Sequence, residues 1–261
     1  MAVLDQILES TRAGLPSLQR RASQLELAAA ATPTPGSFRA ALERSTVGLI
    51  AEVKRRSPSA GAINEGLDPV DLAQRYVEGG AAAISVLTEE AHFGGSVADL
   101  QMVAHRVTVP VLRKDFIVDE LQLVEARATG AAAALLIVRA LSQADLGRLI
   151  RAAEALQLTA LVEAHDRNEL DRALAAGATV VGINARNLDD FTIDIGGSLE
   201  LLSTIPANCV AVAESGMSSL LHVVRAADAG ADAVLIGGAL AAAEDPASRA
   251  AELSGVTRRG R

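Results

Sequence analysis

Short apolar runs alternate with helical segments along most of this chain, and this alternation constrains its fold more than any other feature. Eight runs have the length and composition of buried parallel strands, at 49–54, 82–87, 109–114, 134–138, 159–164, 180–185, 210–215 and 233–238. Amphipathic helical segments separate them, for example at 119–129, 143–157, 166–176 and 218–229. Strict alternation of strand and helix is typical of a parallel sheet covered by helices.

A longer period lies inside this alternation. A Gly-Ala pair precedes the second, fourth, sixth and eighth strands, with glycines at Gly80, Gly130, Gly177 and Gly230, spaced 50, 47 and 53 residues apart. Each glycine follows a helix, where a left-handed residue is favoured. Two βα units repeated four times predict an α/β fold, a closed (β/α)8 TIM barrel. An open doubly wound sheet is the alternative, which the absence of Gly-x-Gly-x-x-Gly after the first strand weakens.

The whole chain, 1–261, is predicted to form a single barrel domain. Residues 1–45 are expected to be an N-terminal helical extension over one end of the barrel, with helices at 1–30 and 38–44 separated by Pro33, Pro35 and Gly36. Asp68-Pro69 marks the start of the helix after the first strand. The tail 254–261 contains three arginines and two glycines and is expected to fray.

Composition restricts the partners and the location of the protein. A formal net charge of −8 argues against a nucleic acid or an anionic membrane as the main partner. The single Cys209 excludes an internal disulfide and suits a reducing cytosol. We expect no secretion signal, because the N-terminus carries acid early and no long apolar segment, and no uncharged apolar run approaches the ~18 residues of a membrane span. We therefore expect a cytoplasmic protein, monomeric or weakly self-associating, that acts on a small molecule.

Charged and polar residues follow the predicted strands at the end where (β/α)8 barrels carry their active sites. Glu52 and Lys54 lie two residues apart in the first strand and so project from the same face. Other strand ends contribute Lys114, Glu163, Asn184, Arg186 and Glu214. Any one of these charges alone is explained by a structural salt bridge. Three carboxylates and three cations at one rim indicate acid–base chemistry instead, because buried ion pairs are weak stabilisers.

The last two strands end differently. Ser215-Gly216 and Gly237-Gly238 offer open backbone N–H groups in the two loops that form the usual phosphate site of such barrels, although glycines there can also serve only tight turns. The four histidines show no metal-ligand spacing, and no nucleotide-binding loop is present. We therefore expect a phosphorylated small molecule as the substrate, and neither a metal nor an organic cofactor.

The same strand ends carry longer motifs. They are IAEVKRRSPS at 50–59, ISVLTEE at 84–90, FGGS at 93–96, VLRKDFIV at 111–118, LLIV at 135–138, LVE at 161–163, GINARNL at 182–188 and VAESG at 212–216. Together they resemble the motifs of the indole-3-glycerol phosphate synthase family of tryptophan biosynthesis, from the first strand to the seventh. The N-terminal helical extension is similar to that of the family as well.

The resemblance implies a reaction and its acid–base groups. The substrate would be 1-(2-carboxyphenylamino)-1-deoxyribulose 5-phosphate, which such a carboxy-lyase closes to indole-3-glycerol phosphate with loss of carbon dioxide and water. Lys114 would be the general acid and Glu163 the base. Lys54 would assist the departure of water, and Glu52 would belong to the proton network. How Lys54 and Lys114 divide the acid roles stays open.

The resemblance also implies binding residues. Asn184, Arg186 and Glu214 would position the substrate and the lysines, while Ser57 would help to bind the carboxylate. The apolar slot for the aromatic ring would consist of Phe93, Phe116, Leu135 and Leu188. Backbone groups around Ser215, Gly216, Gly237 and Gly238 would bind the phosphate.

One departure from the family leaves two alternatives open. The family pattern after the eighth strand is Gly, then Glu or Ser, then Leu-Met, whereas this chain has Gly238-Ala239-Leu240-Ala241. The missing side chain is the only support for a non-catalytic paralogue that binds phosphorylated metabolites. A Schiff-base aldolase that uses Lys114 is the other alternative, but it requires a neutral lysine with no carboxylates nearby.

Overall fold

Eight parallel strands form a closed barrel in the computed structural model, which describes residues 3–57, 61–62, 66–188 and 190–260, without the side chains of Ser57 and Ala62. The strands are β1 Gly48–Val53, β2 Ala83–Leu87, β3 Val111–Lys114, β4 Ala133–Ile137, β5 Thr159–Ala164, β6 Val180–Asn184, β7 Val210–Glu214 and β8 Ala233–Ile236. Each strand pairs with the next, and β8 pairs with β1. The predicted (β/α)8 barrel is confirmed, with strand ends that differ by up to two residues.

Three of the described helices precede the first strand, and the others follow the strands around the outside of the barrel. The described helices are α1 Val3–Gln19, α2 Ala22–Ala31, α3 Phe38–Leu42, α4 Pro69–Glu78, α5 Val97–Ala104, α6 Glu120–Ala128, α7 Gln143–Ala155, α8 Arg167–Ala175, α9 Ile195–Leu202, α10 Leu220–Asp228, α11 Gly238–Ala241 and α12 Pro246–Leu253. The predicted start of α4 is correct, since the Asp68 carboxylate accepts hydrogen bonds from the first turn. Among the described residues, no helix has the length and apolarity to cross a membrane.

The four repeated glycines end their helices in the same way. Gly80, Gly130, Gly177 and Gly230 have φ angles of 89°, 89°, 92° and 89°, in the left-handed region that favours glycine. The alanine after each glycine donates a backbone hydrogen bond to a carbonyl five residues earlier, as Ala81 does to Tyr76. This turn closes the helix and directs the chain into the next strand.

Two apolar layers hold the barrel together. One lies between the strands and the surrounding helices, and the other fills the barrel interior. Phe38 and Leu42 of α3 belong to the interior layer and are fully buried. The Leu42 side chain approaches Gly48, the first residue of β1, so α3 closes the end of the barrel at which the strands begin.

The N-terminal extension contains one more break than predicted. The helix expected over 1–30 is divided into α1 and α2 at residues 20–21, where Arg21 leaves the helical conformation with φ −103° and ψ 4°. Both helices contact α6, and Arg127 on α6 donates a hydrogen bond to the Thr32 carbonyl just beyond α2. Packing against α6 therefore overrides a helical propensity that continues through the break.

The C-terminal tail also differs from the expectation that it frays. Within the described part, residues 254–260, Val256 accepts a backbone hydrogen bond from Val47, and Arg258 donates one to Ser45. The Arg258 guanidinium lies 2.7 Å from the buried carboxylate of Asp232 at the start of β8. A buried carboxylate needs such partners, and this requirement fixes the tail against the barrel.

We predict that Arg258→Ala lowers the free energy of unfolding by about 1–3 kcal/mol, because Asp232 loses a charged partner while it stays buried. Arg259→Ala is the matched control, since Arg259 pairs with the partly exposed Asp228. Its cost should stay below about 1 kcal/mol. Urea unfolding of both variants measures the difference, and equal stability of the two would show that the tail contributes nothing through Asp232.

Candidate active site

A cavity of about 460 Å³ opens where the barrel strands end. Nearly all of the site residues expected from the sequence line it: Glu52, Lys54, Phe93, Lys114, Phe116, Leu135, Glu163, Asn184, Arg186, Leu188, Glu214, Ser215, Gly216, Gly237 and Gly238. The exception is Ser57, whose side chain lies outside the described residues, although its backbone pairs with Gly61 in a short antiparallel ladder. The closed barrel therefore brings together residues that are up to 186 positions apart, from Glu52 to Gly238.

Buried carboxylates surround the Lys114 ammonium. Its Nζ atom lies 3.2 Å from Oε2 of Glu163 and 3.5 Å from Oε2 of Glu214. Both glutamates are 1% exposed. A second pair lies at the end of β1, where Nζ of Lys54 is 2.7 Å from Oε1 of Glu52. These contacts form two groups of opposite charges at the ends of four strands, and the Glu52 carboxylate also acts on Lys114 through its charge.

Two glycines make room for these carboxylates. A methyl group on Gly182 in β6 would overlap the Glu214 carboxylate, and one on Gly237 after β8 would overlap Glu52. Neither glycine has a positive φ angle, so backbone freedom does not require glycine here. The need for space beside the neighbouring carboxylate explains why both positions are glycine.

Electrostatics keeps Lys114 and Glu163 charged despite their burial. Burial by itself lowers the pKa of Lys114, but the carboxylates of Glu163, Glu214 and Glu52 outweigh it and raise that pKa. Burial likewise favours the neutral form of Glu163. The charges of Lys114 and His165, with hydrogen bonds from Asn184 and Lys114, nevertheless lower the pKa of Glu163.

Glu214 is the carboxyl group at these strand ends that favours a proton. Burial, opposed by Lys114 and reinforced by Glu163 and Glu52, raises its pKa to about 8. Neither of its carboxylate oxygens accepts a hydrogen bond within the described residues. In its protonated form Glu214 instead donates to Glu163, which places a neutral acid beside an ionised one.

A buried network surrounds Arg113, the neighbour of Lys114 on β3, and the sequence analysis did not find it. The Arg113 side chain points away from the cavity and is 3% exposed. Its guanidinium lies 2.9 Å from Asp115 and 3.0 Å from Glu125 on α6. Thr88, just beyond β2, donates a 2.6 Å hydrogen bond to Asp115. The alternation Arg-Lys-Asp was the available signal, because neighbouring residues on a strand face opposite sides.

A second feature missing from the predicted site is His165, which the sequence analysis treated as an isolated histidine. Its Nδ1 lies 2.9 Å from Oε2 of Glu169, and its Nε2 lies 3.4 Å from Oε1 of Glu163. Arg139 donates a 2.9 Å hydrogen bond to the other oxygen of Glu169. The spacing of four residues from His165 to Glu169, across the start of α8, was the available signal.

The lysine content is a further signal that the sequence analysis missed. Lys54 and Lys114 are the only lysines among 24 Lys and Arg residues in the chain. Arginine stays protonated in proteins, whereas lysine can give up a proton. Both lysines of the chain, the cations that are suited to proton transfer, therefore line this cavity.

Aromatic and aliphatic side chains form the apolar side of the cavity. The rings of Phe93 and Phe116 are 6.2 Å apart between centroids and tilted by 37°. Leu135 and Leu188 line the same cavity. An apolar wall beside buried charges suits a ligand that is aromatic at one end and polar at the other.

The loops after β7 and β8 expose backbone groups. Ser215 and Gly216 both have positive φ angles, 59° and 71°. A methyl group on Gly216 would run into Ile193 and Ile195, so this position requires glycine for two reasons. The short helix α11 begins at Gly238 with no capping side chain, which leaves its first amides open toward the cavity.

Solved structures with this fold include several phosphate-handling enzymes. A 3-hexulose-6-phosphate synthase superposes with a TM-score of 0.66 and 20% identity, over 79% of this chain and 98% of its own. A thiamine phosphate pyrophosphorylase from Pyrococcus furiosus gives 0.60 and 17%, over 83% and 96%. At these identities the likeness shows the barrel fold alone.

Sequence comparisons are more specific. The family model described as indole-3-glycerol phosphate synthase matches residues 4–253. The enzyme of that name from Streptomyces griseus is 49% identical over 97% of this chain and 95% of its own, and the one from Mycobacterium tuberculosis is 46% identical over 96% and 93%. These relatives do not favour the non-catalytic alternative. The chain belongs to the indole-3-glycerol phosphate synthase family, carboxy-lyases of tryptophan biosynthesis.

Proposed function

We propose that Lys114 and Glu163 catalyse the reaction in one cavity, Lys114 as the general acid of ring closure and Glu163 as the general base of dehydration. The observation that carries this proposal is the 3.2 Å contact between Nζ of Lys114 and Oε2 of Glu163, with both groups held in their charged forms. A protonated acid and an ionised base are therefore ready before the substrate binds.

Lys114 acts first. When the anilino ring carbon attacks the ketone of the substrate, negative charge develops on the ketone oxygen. The Lys114 ammonium stabilises this charge and delivers a proton to the oxygen. Its raised pKa keeps it protonated until an alkoxide, a much stronger base, is formed. The same raised pKa opposes the Schiff-base alternative, which needs a neutral amine.

Decarboxylation follows on the apolar side of the cavity. Phe93, Phe116, Leu135 and Leu188 hold the aromatic ring, while Ser57 helps to orient the carboxylate that leaves. Apolar surroundings favour loss of carbon dioxide, because they solvate the carboxylate less well than the delocalised charge that replaces it. Breaking this carbon–carbon bond restores the aromatic ring.

Dehydration completes the indole. Glu163 removes a proton as the hydroxyl group leaves, and Lys54 protonates that hydroxyl group so that it departs as water. Glu52, whose Oε1 lies 2.7 Å from Nζ of Lys54, belongs to the proton network that returns a proton to Lys54. Glu214, as a neutral neighbour, holds the side chains of Glu163 and Lys114 in position. Asn184 and Arg186 orient the substrate.

The phosphate binds at the opposite wall, to backbone N–H groups of Ser215 and Gly216 and to the first amides of α11 at Gly237 and Gly238. Open amides at a helix start favour an anion without any charged side chain, so the alanine at position 239 does not abolish the site. All these groups come from one chain, which supports a monomer or a weak homo-oligomer. The net charge of −8 and the single cysteine support a cytoplasmic enzyme with neither a nucleic-acid nor a membrane partner.

Removal of either acid–base group should abolish most of the turnover. We expect Glu163→Gln and Lys114→Ala each to lower kcat by roughly 10²-fold or more. The chain contains no Trp, so fluorescence of the indole product is measured without tryptophan emission from the protein. Glu154→Gln, on the exposed face of α7, is the control and should retain full turnover. Undiminished turnover in a folded Lys114→Ala variant would refute the mechanism.

The pKa of Glu214 predicts a specific dependence of stability on pH. Its pKa is raised from 4.5 to about 8 in the folded protein, so its protonated form stabilises the fold. This contribution is complete below the unfolded pKa and is lost as the pH rises through about 8. Gln cannot titrate, so the stability of wild type relative to Glu214→Gln should fall by up to a few kcal/mol between about pH 5 and pH 9. Parallel pH curves of the unfolding temperature would contradict this assignment.

A further inference from the structure

A chain of polar contacts extends from the proposed base to the other side of β5. It begins at Oε1 of Glu163, which lies 3.4 Å from Nε2 of His165. The other ring nitrogen of His165 contacts Glu169, and Arg139 contacts the far oxygen of Glu169. His165 is buried, with only 5% of its side chain exposed, so its ring has a fixed environment.

Glu169 holds this histidine at two points. Its Oε2 atom accepts a 2.8 Å hydrogen bond from the backbone N–H of His165 and lies 2.9 Å from the ring Nδ1. Glu169 is itself fixed, because its backbone N–H donates to Asp166 at the start of α8. Contacts at the main chain and at the ring together leave the imidazole one orientation, with Nε2 directed at Glu163.

The two oxygens of Glu163 therefore face different groups. Oε2 faces Lys114 and the substrate cavity, while Oε1 faces His165. The Asn184 amide also donates to Glu163, and its own carbonyl oxygen is occupied by the backbone N–H of Arg186. A carboxylate with partners on both oxygens cannot rotate freely, which keeps the proposed base aimed at the substrate.

Nε2 of His165 has no hydrogen bond within the described residues, although it is buried. With Nδ1 held by Glu169, the ring presents Nε2 to Oε1 of Glu163 at 3.4 Å. The positive charge of His165 is among the causes that lower the pKa of Glu163. The charged groups that face this ring are thus Glu163 and Glu169, with Lys114 and Arg139 one contact further out.

The ring borders a second cavity, which does not include Glu163. This cavity of about 460 Å³ is lined mostly by polar side chains that include Arg139, His165, Asp166, Arg167 and Asn184. Asn184 lines both this cavity and the substrate cavity, whereas His165 lines only the second one. Two partners of Glu163, namely His165 and Asn184, therefore border a polar space.

We propose that His165, oriented by Glu169 and Arg139, is a positioning residue that holds Glu163 in its ionised form and directs its Oε2 atom toward the substrate. This inference rests on the proposed role of Glu163 as the base. It assigns a function to a histidine that does not line the substrate cavity and whose effect on the reaction passes through Glu163.

The test is the pH dependence of kcat/KM in His165→Leu, which removes both ring nitrogens. Without the positive neighbour the pKa of Glu163 rises, so the acid limb of the profile should move up by about one pH unit. We expect kcat to fall by about 10-fold and KM to stay within about twofold of wild type. His165→Gln, which restores one donor, should recover part of kcat.

Two further variants complete the test. His105→Leu is the matched control, since His105 is exposed and its ring contacts only the Gln101 carbonyl among the hydrogen bonds of the described residues. It should leave the profile unchanged. Glu169→Gln keeps the side-chain volume but weakens the hold on His165, so it should move the acid limb in the same direction. If His165→Leu does not fold, the movement of the acid limb in Glu169→Gln tests the role of His165 instead.

The outcomes separate this inference from the proposed function. An acid limb of His165→Leu that superimposes on wild type, while Glu163→Gln is inactive, overturns the role of His165 alone. A fall in kcat that follows the unfolding temperature, with no movement of the acid limb, overturns it as well, because it indicates a merely structural role. Full turnover by Glu163→Gln instead overturns the proposed base.

Discussion

The structure depends on the mutual compensation of charges that are too costly to bury alone. Glu163 and Glu214 are almost completely buried, and one ammonium, that of Lys114, lies within 3.5 Å of both. Glu163 stays ionised beside Lys114 and Glu214 favours a proton, because removing an ion from water costs several kcal/mol unless opposite charges and hydrogen bonds replace the water. Closure of the barrel supplies them, because it brings strands from distant parts of the chain to one rim. The buried charged groups therefore reduce the stability of the fold at the position where the reaction needs them, as is common in active sites.

The sequence predicted the barrel because its repeat is both local and regular. Each Gly-Ala turn ends one helix and starts one strand, and four turns with the same φ angle build the ring. It also predicted which side chains meet, since all C-terminal strand ends of a parallel barrel lie on one face. Family resemblance added the reaction, which the convergence of charges alone does not define.

Contacts behind the rim were not predictable in the same way. Arg113 has its partner Glu125 on α6, and this pair depends on how that helix lies against the strands. The pair of His165 and Glu169 is local, but the approach of His165 to Glu163 depends on how the chain turns after β5. The tail is another case, since Arg258 has its partner in Asp232 only after the barrel closes. Composition, which suggested a frayed end, carries no information about such pairs. The two lysines were visible in the sequence, but their meaning becomes clear only when both lie in one cavity.

The carboxylates around Lys114 outweigh its burial, raise its pKa and keep its ammonium group protonated. Isotope-labelled lysine tests this directly, because the chain yields only two side-chain signals, and Lys54→Arg leaves the signal of Lys114 alone. Following that signal by NMR as the pH is raised measures the pKa of the ammonium in the folded protein. We expect the pKa of Lys114 to lie above its ordinary value of 10.5. Titration below that value would show that burial dominates, and it would contradict the charge cluster on which the proposed mechanism rests.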